Sequence, residues 1–99
     1  MTGGAVRITA SGTILASGKP CRVYGYTMRS TANGPGLVQL IDGTASTGAE
    51  RWRALGNTDS SAEKSFSPGA GKYFPTGCYV QIDSNVTYVE LDCSLENNT

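Results

Sequence analysis

Pro20-Cys21-Arg22-Val23-Tyr24-Gly25-Tyr26-Thr27-Met28-Arg29-Ser30 is the stretch on which the fold class turns. β-Branched and aromatic side chains alternate with others along it, and the proline stands first, where a strand tolerates a missing N–H. It reads as a strand. Thr31-Ala32-Asn33-Gly34-Pro35-Gly36 follows as a turn in which Asn33 and Gly34 supply positive φ. Leu37 to Ile41 then resumes the extended pattern, so the sequence predicts a hairpin here.

Working outward, Asp42-Gly43 closes that strand, and a Thr/Ser/Gly-rich loop leads to Glu50 to Leu55. There Arg51 and Arg53 face one way and Trp52 the other, the pattern of a half-buried strand. Ala62 to Phe66 reads as another strand, Ser67-Pro68-Gly69-Ala70-Gly71 as a break, and Lys72 to Phe74 as a further strand. Ala5 to Thr9 and Thr13 to Ala16 alternate over short lengths. No helix is needed. About seven to nine short antiparallel strands at this spacing predict an all-β domain, a small β-sandwich of jelly-roll or Ig-like topology. The 99 residues form one domain in this reading, with an N-terminal arm over about 1–12 and a polar C-terminal tail over about 94–99.

The last hairpin is predicted with a register. With Asp83-Ser84-Asn85-Val86 as the turn, Ile82 opposes Thr87, Val80 opposes Val89 and Cys78 opposes Leu91. A slip by one residue would set Val80 against Tyr88. Cys78, Val80, Ile82, Val89, Leu91 and Cys93 then form the core face, and Tyr79, Gln81, Asp83, Tyr88, Glu90 and Asp92 share the outer one. Cys78 and Cys93 fall on a diagonal too wide for a disulfide, so free thiols are expected.

Composition excludes more than it assigns. Eight basic and eight acidic side chains cancel, which argues against a protein that binds nucleic acid by counterion release. Met1 to Ser11 lacks the apolar stretch of a secretory signal, and no window approaches the ~18 apolar residues of a membrane span. Three cysteines, an odd and sparse set, point to synthesis in a reducing cytosol. The Asn85 to Thr87 and Asn97 to Thr99 sequons read as polar turn and tail.

No histidine is present to act as base in a serine or cysteine triad, and no CxxC spacing suits zinc, so neither catalysis nor a metal or other cofactor is expected. Gly69-Ala70-Gly71-Lys72 lacks the earlier glycine and the following Ser or Thr of a phosphate-binding loop. Asp83 with Asp92 or Glu90 lies on a solvated sheet face, a poor setting for a general acid or for calcium. Arg51-Trp52-Arg53 reads as a core tryptophan beneath two solvated arginines rather than as a base-stacking trio. The tyrosines stay open. Tyr24 with Tyr26, and Tyr79 with Tyr88, are each expected to share a face, where they serve rim packing, a protein interface or a sugar platform.

Gly18-Lys19-Pro20-Cys21-Arg22-Val23-Tyr24-Gly25-Tyr26, Gly36 to Thr44, Thr76 to Ile82 and Val86 to Leu91 follow one another in an order that resembles small β-sandwich virion proteins of tailed bacteriophages. The resemblance covers about residues 18 to 93. It implies a capsid decoration (cement) or head-tail accessory protein, located in the virion and made in the host bacterial cytoplasm. Such a protein binds other virion subunits, above all the major capsid protein, and forms a homo-oligomer such as a trimer, without touching nucleic acid or membrane. Tyr24, Tyr26, Tyr79, Gln81, Tyr88 and Glu90 are the interface candidates on this expectation. The competing expectation is a carbohydrate-binding or host-adhesion module of a fibre or spike, using the same tyrosines beside Gln81 and Glu90.

Overall fold

The computed structural model describes residues 4–15, 18–66 and 71–95. The deciding stretch extends as β3 (Cys21–Ser30) and sits inside the first of two antiparallel sheets. That sheet runs β1 (Gly4–Ile8), β9 (Val86–Leu95), β3 and β6 (Ser61–Ser65), with β7 (Lys72–Phe74) also on β3. The second sheet runs β2 (Gly12–Thr13), β8 (Cys78–Ile82), β4 (Leu37–Asp42) and β5 (Ala49–Leu55).

β6 pairs with Gly25–Arg29 of β3 and β7 with Cys21–Val23, so the two are halves of one interrupted edge strand. Counted as one, they leave eight strand positions in two four-stranded sheets. Apart from the β4–β5 hairpin and the β6–β7 break, every connection passes from one sheet to the other. This interleaved order is that of a jelly roll, which decides between the two sandwich topologies the sequence allowed.

The inward faces follow the alternation read from sequence. Val23, Met28, Val38, Leu40, Phe74, Val80, Val89 and Leu91 are at most 1% exposed and pack together between the sheets. At roughly 1.5–3 kcal/mol for each large apolar side chain taken from water, this layer is the main source of stability. Cys21, Cys78 and Cys93 join it as buried thiols, with no disulfide among them. Burial pushes the Cys78 thiol far up and the Cys93 thiol up to about 12, with the neighbouring Cys21 adding in the same direction.

Both predicted hairpins are corrected. β3 and β4 lie in different sheets, as do β8 and β9, and the turns between them are corners of the sandwich. Cys78, Val80, Val89 and Leu91 do point inward, but from opposite walls. At one corner the buried Ser30 hydroxyl accepts the Gly36 N–H at 3.0 Å. At the other, the Asp83 carboxylate accepts the N–H groups of Leu37 (3.2 Å) and Asn85 (3.0 Å). A third correction concerns the ends. The stretch expected as an arm holds β1, paired with β9 from Gly4↔Cys93 to Ile8↔Val89 where the Ala5 to Thr9 alternation was read, and runs into β2 at Gly12. The expected tail begins inside β9, with Ser94 buried opposite Arg22 and Leu95 opposite Cys21. Residues 1–3, 16–17, 67–70 and 96–99 of the predicted arm, strand, break and tail lie outside the described residues.

Candidate functional site

Six polar or aromatic side chains were expected on two shared faces, and the topology separates them. Tyr79 and Gln81 of β8 stand on the outer side of the second sheet, in register with Ile41 and Gln39. There the Gln39 amide donates to the Glu50 carboxylate and, with Arg53, holds it below the usual carboxylate range. Tyr88 and Glu90 of β9 stand on the outer side of the first sheet, beside Arg7 of β1. The Arg7 guanidinium lies 4.2 Å from the Tyr88 ring centroid, and its Nε is 3.6 Å from Glu90 Oε2. Tyr79 and Tyr88 therefore mark opposite surfaces of the molecule, because β8 and β9 belong to different sheets.

Tyr24 and Tyr26 part for a different reason. β3 carries a bulge between Val23, opposite Cys93, and Gly25, opposite Asp92, so Tyr24 is an extra residue and the alternation changes phase there. Cys21 and Val23 before it, and Tyr26 and Met28 after it, all reach the core. Tyr24 is half-buried, its hydroxyl 3.0 Å from that of the buried Ser94. Tyr26 is only 7% exposed and is corrected from interface candidate to core residue. Its oxygen accepts the Trp52 indole N–H at 2.8 Å, and burial raises its phenol above the ordinary value.

Trp52 does point inward between exposed Arg51 and Arg53, as alternation predicts. What single-strand reading missed is its company. Phe66 meets the Trp52 ring edge-on at 5.1 Å and lies 6.1 Å from Tyr26. The ammonium groups of Lys64 and Lys72 sit 5.3 and 6.0 Å from the Trp52 ring centroid. Both lysines occupy inward-facing positions, Lys64 opposite Tyr26 and Lys72 opposite Val23. They close the flank of the sandwich where β5 meets the interrupted edge strand.

The bulge also opens a shallow groove of about 220 Å³ on the first sheet, bordered by Tyr24, Thr27, Glu63, Ser65, Glu90 and Asp92. Gly25 also lines it, and the β6 backbone approaches so closely that a Cβ there would stand 2.6 Å from the Lys64 carbonyl oxygen. The signal was present in the sequence, because an isolated glycine within a strand marks a bulge or a close backbone approach. This arrangement gives surfaces for binding: a tyrosine and carboxylates around a dip on one side, and an amide-rich strip on the other.

No protein-family model matches the chain, and no curated protein matches it. Among solved structures, the crystal structure of Yersinia pseudotuberculosis-derived mitogen aligns over 98% of this chain and 90% of that chain. The alignment has 13% sequence identity and a TM-score of 0.36, too distant to bear on function.

Proposed function

We propose that the chain is a non-enzymatic structural subunit of a tailed-phage virion, a capsid decoration protein that self-associates and binds the major capsid protein lattice. The observation that carries the reading is the outward placement of its polar aromatic side chains on rigid strands. Tyr79 and Gln81 on one face, and Tyr88, Glu90 and Arg7 on the other, give two preformed, opposed contact surfaces. Two such faces suit a subunit packed among neighbours, and many copies compensate for a modest single contact. The resemblance of residues 18 to 93 to phage virion proteins supports the same reading.

The test is light scattering over a concentration series, with and without emptied phage particles bearing the major capsid protein. The expected result is a defined homo-oligomer that saturates the particles at a fixed stoichiometry. A persistent monomer that ignores particles overturns the proposal.

The groove over Gly25 favours one second reading, a carbohydrate-binding module, because a tyrosine beside carboxylates and hydroxyls is suited to a sugar ring. A glycan array on which binding is lost in Tyr24→Ala selects that reading.

A further inference from the structure

The first sheet has two edges, and they are built differently. Along the β6/β7 edge the inward positions at Lys64 and Lys72 carry charge, a device that keeps an exposed strand from templating another chain. Along β1 the inward positions are Val6 and Ile8, both packed against the core. The one ionisable side chain of β1, Arg7, is held on the outer face by Glu90 and Tyr88 of its own chain.

Two copies can continue a sheet by pairing one edge strand with itself about a two-fold axis, antiparallel and isologous. Full-length self-pairing is a stringent filter, because directly opposed like charges destabilise a ladder. For β5, Ala49–Leu55, it sets Arg51 opposite Arg53 of the second copy twice, around Trp52 against itself. For β6, Ser61–Ser65, it sets Glu63 against Glu63. β2 has two residues and β7 three, too short to hold a pairing. For β1 the pairs are Gly4 with Ile8, Ala5 with Arg7 and Val6 with Val6, and no like charges meet.

We infer that β1 is the assembly edge, and that a second copy of this chain adds to it, strand β1 against strand β1, to continue the first sheet across a two-fold axis. The inference rests on the self-association in the proposed function and adds the surface that carries it. It also gives Tyr88 and Glu90 a place, flanking the two-fold axis with Arg7 on the outer face. The half-buried Val6 and Ile8 gain the second copy's equivalents as neighbours on the inner face.

The experiment compares Val6→Cys with Glu63→Cys, each a thiol at the centre of one edge strand, under mild oxidation and non-reducing electrophoresis. The native thiols are buried and serve as internal controls. The expected result is a covalent dimer for Val6→Cys and a monomer for Glu63→Cys. In the unmodified protein, β1 amide exchange is expected to slow about tenfold or more as concentration rises into the associated range, while β6 amides stay unchanged. A crosslink at Glu63→Cys alone, or an oligomer whose β1 exchange ignores concentration, overturns the edge assignment and leaves self-association standing. A monomer at every concentration overturns both.

Discussion

Gly25→Ala tests how tightly the bulge in β3 fits the edge strand beside it. The new Cβ would stand 2.6 Å from the Lys64 carbonyl oxygen, about 0.8 Å inside the 3.4 Å at which ordinary contact begins. The obstacle is backbone, so no side-chain rotation relieves it. β6 must retreat from β3, and the pairing is flanked by bonds already at normal length, Phe66 N–H to Tyr24 O and Ser30 N–H to Ser60 O, both 2.9 Å. A displacement of that size carries neighbouring ladder bonds past ~3.5 Å, where they cease to count. Losing two or three at about 1 kcal/mol each costs roughly 2–3 kcal/mol. The stiffer unfolded chain of the alanine variant returns roughly 0.4–1 kcal/mol. The net loss is about 1–2.5 kcal/mol, a fall in Tm of roughly 4–20 °C for a domain of this size. Urea unfolding followed by Trp52 emission measures the total, and amide exchange locates it, with β6 losing protection and β4 keeping it. An unchanged midpoint, or a lowered one with β6 as protected as before, shows that β3 and β6 do not meet this closely at Gly25.

Three further outcomes are expected. Tyr26→Phe leaves the Trp52 indole N–H without its acceptor, costing about 1 kcal/mol and shifting Trp52 emission at unchanged fold; wild-type emission and stability would contradict the bond. Asp83→Ala removes the acceptor for Leu37 and Asn85 at the β8–β9 corner and lowers stability by about 1–2 kcal/mol, read from the denaturation midpoint. Stability falls as pH rises from about 9 towards 12, because the unfolded Cys93 thiol ionises near 9.0 whereas the folded one holds its proton to about 12. The unfolded state then binds fewer protons than the native state, and the raised Cys78 and Tyr26 values act with the same sign. Alkaline denaturation melts check this, and a midpoint flat from pH 8.5 to 11 contradicts it.

Side-chain alternation told which way residues point but not which wall of the sandwich they belong to. Cys78, Val80, Val89 and Leu91 were legible as core because a period of two is local. Their pairing was not, since two inward-facing strands satisfy the same pattern side by side in one sheet or face to face across the core. The hydrophobic match that predicted Val80 opposite Val89 is equally a match between two layers. Tyr26 failed for another reason. The inserted Tyr24 shifts the phase of β3 by one residue, so two tyrosines two positions apart end on different sides. Gly25 carried the clue, but a bulge leaves its direct signature in the partner strand, and β9 lies more than sixty residues away. The aromatic flank was half legible: the inward turn of Trp52 followed from its neighbours, whereas its meeting with Tyr26 and Phe66 required knowing that β5 faces the interrupted edge.

β9 lies between β1 and β3, and among the described strands β4–β5 is the one pairing of neighbours in the chain. The first sheet therefore cannot join β1 to β3 until β9 lies between them. Folding is then dominated by long-range closures, on the millisecond-to-second scale of such topologies. A chain broken off before β9 leaves β1 without the strand it pairs with and opens the core at Val89, Leu91 and Cys93.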